Sequence, residues 1–276
     1  MVVNCVTAMD RCAGVSGKDD ERGAADFARE LRVKEATIRE VHHRVKNNLQ
    51  TIESLLRMQM RRTKSPEVAD AFSEAIARIG AMAIAHEMLS YAHDERVAVK
   101  PLALAVANQV KTGLAGSNPH IRIVARGRAG LVDAQGASSF ALAIAEIVHN
   151  AIEHGFAGRD EGSVTLTFMR DDHELVAFIE DDGCGLPAGF SLGAGTSMGL
   201  VLMRTLVEED LSGTITCGPG PDGRGTRFIV TVPLIDDENR AEDSAGSDER
   251  HQAGELDSAL LCVTGREGQG YEDRNR

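Results

Sequence analysis

Between Phe27 and Gln59 the chain carries neither glycine nor proline, and positions 27, 31, 34, 38, 41, 45, 48, 52, 55 and 59 fall at alternating steps of four and three. Phe27, Leu31, Ile38, Val41, Val45, Ile52 and Leu55 fill most of them, while Lys34, Asn48 and Gln59 interrupt the row. This is a heptad seam, the pattern of a helix that pairs with another, and polar interruptions of this kind help to fix register. The row breaks at Thr63 to Pro66. Ser65 is placed to cap a second helix, and Pro66 suits its first turn, where an N–H has no internal partner anyway. Val68, Phe72, Ala75, Ile79, Met82, His86 and Leu89 make the seam of that helix. Two such helices with a short turn form an antiparallel hairpin that leaves apolar faces uncovered, and two hairpins from two chains would close a four-helix bundle.

After Asp94, short alternating runs replace the heptads. Val97 to Val99 and Ile121 to Val124 read as strands, with an apolar helical stretch from Pro101 to Leu114 between them and a further helix from Phe140 to His154. Val164 to Met169 and Leu175 to Glu180 predict a hairpin across Asp171-Asp172-His173. A Gly-rich loop, a helix around Leu200 to Glu209 and strands at Thr214 to Cys217 and Thr226 to Val232 complete the series. The fold class is therefore α+β, a helical hairpin followed by a two-layer α/β sandwich. Boundaries fall at 24–94 for the hairpin and 95–235 for the sandwich. Residues 1–23 and the acidic segment 236–276 mix Gly, Ser and charge without periodicity and read as disordered ends.

Composition narrows the function. The 276 residues are 42% hydrophobic and 26% charged, enough for two compact units. No run reaches the roughly 20 apolar residues of a membrane-spanning helix, and the first residues lack the basic flank and apolar stretch of a signal peptide. A cytoplasmic protein without membrane insertion is expected. The net charge of −12 argues against nucleic acid as a partner. The five cysteines, Cys5, Cys12, Cys184, Cys217 and Cys262, lie in no metal-binding or disulfide spacing.

Candidate chemistry begins at Glu40-Val41-His42-His43-Arg44-Val45-Lys46-Asn47-Asn48. With Val41 and Val45 in the seam, His42 falls beside it and His43 faces water. A neutral imidazole keeps a nucleophilic nitrogen at neutral pH and can attack a γ-phosphorus in line. Glu40 lies one turn earlier on the same face, placed to orient the ring or take its proton. In the sandwich, Glu146, Asn150 and His154 share one helical face at steps of four. A carboxylate and an amide oxygen stacked this way can polarise a nucleophile and hold a Mg²⁺ that bridges phosphates, although a solvated polar stripe has the same spacing. Glu180-Asp181-Asp182-Gly183-Cys184-Gly185 follows a strand, where a carboxylate can accept a hydrogen bond from an adenine amino group. Its spacing does not fit a calcium loop of the EF-hand kind. Gly193-Ala194-Gly195-Thr196-Ser197-Met198-Gly199-Leu200 leads into a helix, an arrangement that favours phosphate oxygens. Gly223-Arg224-Gly225-Thr226 reads either as a hairpin turn or as part of the same site.

In this order and spacing, residues 95–235 resemble the nucleotide-binding domain shared by gyrase, the Hsp90 chaperones, histidine kinases and MutL. The stretch HHRVKNNLQ, followed by SLLRMQ, resembles the dimerisation domain of the H-R-x-K-N, or HWE-like, histidine kinases. The resemblance implies a homodimer built on residues 24–94 and a catalytic sandwich with a mixed sheet. ATP and Mg²⁺ would be its cofactors, and the receiver domain of a response regulator its partner. It further implies His43 as phosphoacceptor, Asn150 as the Mg²⁺ ligand, Glu146 as a polar helper and Asp181 as the adenine contact. Gly183, Gly185, Gly195, Gly199, Leu200 and Thr226 would line base and phosphates, and the proton of His43 is shared as a question between Glu40 and Glu146. Glu153 stands where relatives often have Lys, and no sensor is expected ahead of the hairpin, so input would come from a separate protein or domain. A serine kinase of the anti-sigma-factor kind and a non-catalytic ATP-binding scaffold are the alternatives that the same sandwich allows.

Overall fold

In the computed structural model of the chain, residues 6–92, 96–114, 120–187, 189–192 and 198–234 are described, with side chains from Arg29 onward except Leu31. The acidic segment 236–276 and Gly195 lie outside them. Helix α1 spans Val6–Met60 and α2 spans Pro66–Tyr91. At about 1.5 Å per residue α1 is roughly 80 Å long, about twice α2. It starts inside the segment expected to be disordered. That segment carries Gly14, Gly17 and Gly23 but no proline, and glycine weakens a helix by about 1 kcal/mol where proline costs about 3. Ser65 caps α2 as expected, its side chain accepting from the Val68 N–H at 3.4 Å, with Pro66 in the first turn.

The seam read for α2 is not its most buried face. Ile76, Ala77, Gly80, Ala81, Ala83 and Ala85, all outside that seam, are buried, whereas of the seam residues Leu89 is buried and Val68 is 44% exposed. The reason is that α2 packs on two sides, against α1 and against helices of the sandwich. These are α3 (Val99–Gly113) and α4 (Ala134–Asn150). A Cβ at Gly80 would stand 3.3 Å from Gln109 of α3, which shows how closely the two helices approach. Ala77, Ala81, Ala85 and Leu89 therefore belong to the same apolar cluster as Leu102, Val106, Phe140 and Ile144.

The main sheet has five strands in the order β2-β4-β5-β7-β6. They are β2 (His120–Gly127), β4 (Glu161–Arg170), β5 (Glu174–Asp181), β6 (Thr214–Pro219) and β7 (Thr226–Pro233). β2 runs parallel to β4 and the other pairs are antiparallel, a mixed sheet. The turn between β4 and β5 is the expected one, with Asp171 Oδ1 accepting from the His173 and Glu174 N–H groups at 2.7 and 2.8 Å. Two differences stand at the domain's entry. Val99 begins α3 rather than ending a strand, and β1 (Val97–Ala98) pairs with β3 (Leu131–Val132), a two-residue strand too short for any periodicity to reveal.

Two helices end in wide π turns. Ala151–Gly155 continues α4, and Leu206–Asp210 continues α5 (Met198–Thr205). Helices and sheet enclose a core in which Phe140 of α4 meets Phe168 of β4, ring centres 6.4 Å apart. Among the described residues, no helix is long and apolar enough to cross a membrane. Phe168→Ala, which empties a fully buried site, is expected to lower the unfolding free energy by about 3–5 kcal/mol in urea titrations followed by circular dichroism.

Candidate functional site

On α1, His43 is exposed and Asn47, one turn later, places its Nδ2 3.3 Å from His43 Nδ1. His42 turns the other way. Half-buried, it sets its Nδ1 2.9 Å from Nδ1 of His86 on α2, with ring centres 5.2 Å apart. Four residues on, Lys46 pairs with Glu87 of α2. Glu40 is exposed and bonded to Arg44 at 2.7 Å, and that bond and the guanidinium charge hold its carboxyl below the usual range. It is therefore a weaker base than an unpaired glutamate.

In the sandwich, β5 ends at Asp181, which is buried at the mouth of a glycine-lined floor. Asp181 Oδ1 accepts from the Gly183 N–H at 2.9 Å and the Thr226 N–H at 3.2 Å. Burial nevertheless pushes its carboxyl up, outweighing these bonds. The floor has no room for side chains. A Cβ at Gly155 would lie 3.2 Å from Asp181 Oδ1, one at Gly185 would lie 3.2 Å from the Gly225 carbonyl, and one at Gly183 or Gly225 would run into backbone. Gly225, at φ +63°, occupies the left-handed region as well, so the β6–β7 connection is both a hairpin turn and one wall of this floor. The Cys184 N–H, donating to the Gly155 carbonyl at 2.8 Å, ties the loop after β5 to the π turn after α4.

α4 brings the third group. Glu146 is buried and forms a two-point ion pair with Arg78 of α2, Nε to Oε1 at 2.6 Å and Nη2 to Oε2 at 3.1 Å. Arg78 also reaches Glu74 at 3.0 Å. Its guanidinium is held above its ordinary value, chiefly by the hydrogen bond to Glu146. Gly199, at the start of α5, lies directly against Glu146, and Leu200 follows half-buried. Asn150 is half-buried one turn beyond Glu146, at the junction with the π turn, whereas His154 is exposed. Glu153 bonds His149 Nδ1 at 3.2 Å, and His149 Nε2 lies 3.4 Å from the Ser73 hydroxyl of α2.

Asp181, Gly183, Gly185 and Thr226 thus gather on one floor, Glu146 and Gly199 gather beside Arg78, and Glu40 and His43 stay together on α1. Arg78, His149 and Ser73 are not singled out by the sequence, and His86 reads there only as a seam position of α2. Only a contact between α2 and α4 makes Arg78 and Ser73 meaningful, and no periodicity within α2 encodes that contact.

Comparison with known proteins adds the following. A family model described as "Histidine kinase" matches residues 40–112, and one described as "Histidine kinase-, DNA gyrase B-, and HSP90-like ATPase" matches residues 136–236. The chain is 41% identical over 210 residues to the sensor histidine kinase PdtaS of Mycolicibacterium smegmatis, a match covering 75% of this chain and 41% of the relative. It is 24% identical over 229 residues to blue-light-activated histidine kinase 2 of Erythrobacter litoralis, covering 82% of this chain and 65% of that protein. The solved histidine kinase domain of the Erythrobacter litoralis EL346 blue-light activated histidine kinase is 25% identical, with a TM-score of 0.51, over 72% of this chain and 94% of its own. The chain thus spans about two fifths of the length of the PdtaS relative.

Two outcomes follow from the buried charges. Arg78→Ala strands Glu146 and is expected to cost about 3–5 kcal/mol in denaturant unfolding, whereas Arg78→Met with Glu146→Leu should restore most of it. Asp181 has a raised value in the folded state, so its ionised form opposes folding and that cost is relieved as pH falls through the raised value. The stability gained by Asp181→Asn over the wild type should accordingly be largest at neutral pH and shrink on acidification toward the ordinary aspartate value of about 3.9.

Proposed function

The chain belongs to the histidine kinase family, and on that footing we propose that it transfers the γ-phosphoryl group of ATP to His43 and then to an aspartate in the receiver domain of a response regulator. The observation that carries this reading is His43 itself, an exposed imidazole on a helix joined to an ATPase-type sandwich. In the first step a ring nitrogen forms a bond to the γ-phosphorus, the bond from that phosphorus to the ADP oxygen breaks, and the ring proton leaves. Both carboxylates considered for that proton are paired with an arginine, Glu40 with Arg44 and Glu146 with Arg78, but Glu146 is buried beneath its partner. Glu40, exposed on the same face as His43, is the acceptor in this proposal.

The site fits ATP in two respects. Asp181 is a buried carboxylate beside a floor that any Cβ would fill, suited to a flat base with an amino group. Asn150 offers an amide oxygen, a donor suited to Mg²⁺, which keeps most of its waters and supplies charge neutralisation to the phosphates when bound. Gly199 and Leu200, at the start of α5, would stand beside the phosphates. In this proposal the reaction draws on ATP in the cytoplasm.

A homodimer is part of the proposal. Val41, Ile52, Leu55 and Met58 on α1 are 53, 45, 53 and 49% exposed, an apolar row that a second hairpin would cover. Input from a separate sensor protein or domain completes the reading.

With γ-labelled ATP and Mg²⁺, the wild type is expected to gain acid-labile, base-stable label that vanishes in His43→Gln and persists in His173→Gln, a histidine in the β4–β5 turn. Acid-stable label on a second protein would support the serine kinase alternative. ATP binding without label would support the scaffold.

A further inference from the structure

Near His43, polar groups of α1 reach across to α2. Val41 is 53% exposed, whereas His42 and Lys46, which flank it in the next helical stripe, reach across to His86 and Glu87. The spacing of these contacts is informative. Residues 42 and 46 lie one turn apart on the same face of α1, and residues 43 and 47 lie about 100° further round, in water. The two cross-helix contacts therefore bracket the turn that carries His43 from behind.

The imidazole pair is directional in a way that apolar packing is not. Two Nδ1 atoms at 2.9 Å can bond only if one carries hydrogen and the other a lone pair. Burial and the neighbouring His42 both hold His86 below the ordinary imidazole value, which favours an uncharged ring there at neutral pH. A bond with such strict geometry sets how far α1 is rotated about its own axis. An apolar contact would let the helix roll, and rolling swings an outward side chain sideways.

We propose that His86 is a positioning residue for the phosphoryl transfer, acting through His42 to fix the rotation of α1 and hence the place of the His43 ring. The proposal rests on His43 as the phosphoacceptor. It assigns His86 no contact with ATP, so its loss should slow labelling without weakening nucleotide binding.

The test measures initial rates of acid-labile labelling in the full chain at saturating ATP, together with the ATP concentration giving half the rate. His86→Phe keeps an aromatic ring at the position but has neither nitrogen and is expected to slow labelling about tenfold to a hundredfold, with the half-saturating ATP concentration unchanged. His86→Asn, which keeps polar atoms near the position of Nδ1, should recover most of the rate. His42→Phe should slow labelling to the same degree, and the double His42→Phe/His86→Phe should be no slower than either single change. Backbone amide exchange across residues 40–47, measured without ATP, should quicken in His86→Phe and not in His86→Asn. A wild-type rate in His86→Phe, a rate in His86→Asn as low as in His86→Phe, or additive losses in the double variant would each overturn the proposal. An unlabelled wild type is a different result, because it removes His43 as acceptor and with it the kinase reading.

Discussion

The packing of α2 on the sandwich helices is the contact on which the arrangement of the molecule depends. Small side chains at Ala77, Gly80, Ala81 and Ala85 let α2 come close to α3 and α4, so the hairpin and the sandwich share apolar contacts. Apolar contact is non-directional and by itself would allow sliding. Arg78 removes that freedom, because a buried Glu146 requires its cation at one place. The same helix carries His86 toward α1. α2 thus reaches α4 through Arg78 and the helix that carries His43 through His86, in both cases through polar groups set among small or apolar neighbours.

Much of the fold was legible in the sequence because local rules governed it. The Ser65-Pro66 start of α2, the Asp171-Asp172-His173 turn, the alternation in β4 and β7 and the continuous apolar run of β5 each follow from a few neighbouring residues, and the structure contains them. Departures came where tertiary contact decided. The heptad reading of α2 chose the face toward α1, and the more deeply buried face is the one toward the sandwich, whose alanines carry little signal in a periodic pattern. β3 consists of two residues, fewer than an alternation needs. The early start of α1 shows that glycine without proline does not end a helix already under way.

The candidate site divides along the same line. Gly183, Gly185 and Asp181 could be read from the chain because a close backbone approach leaves a mark in residue type, and these three do gather on one floor. The surroundings of Glu146 left no such mark. Its partner comes from a helix 68 positions away in sequence, and Arg78 reads locally as nothing more than a surface partner of Glu74. Glu153, which stood out as an unusual charge for its place, is accounted for by His149 on the preceding turn.

The π turn at Ala151–Gly155 couples two segments that are distant in sequence. Its wider ring, closed by the bond from the Phe156 N–H to the Ala151 carbonyl, presents the Gly155 carbonyl to the Cys184 N–H. Such a turn amounts to one extra residue in a helix. A one-residue deletion there would restore regular helical winding but rotate the Gly155 carbonyl away from the loop after β5. The length of this helix end and the shape of that loop are therefore a single inherited trait, open to change in evolution only together.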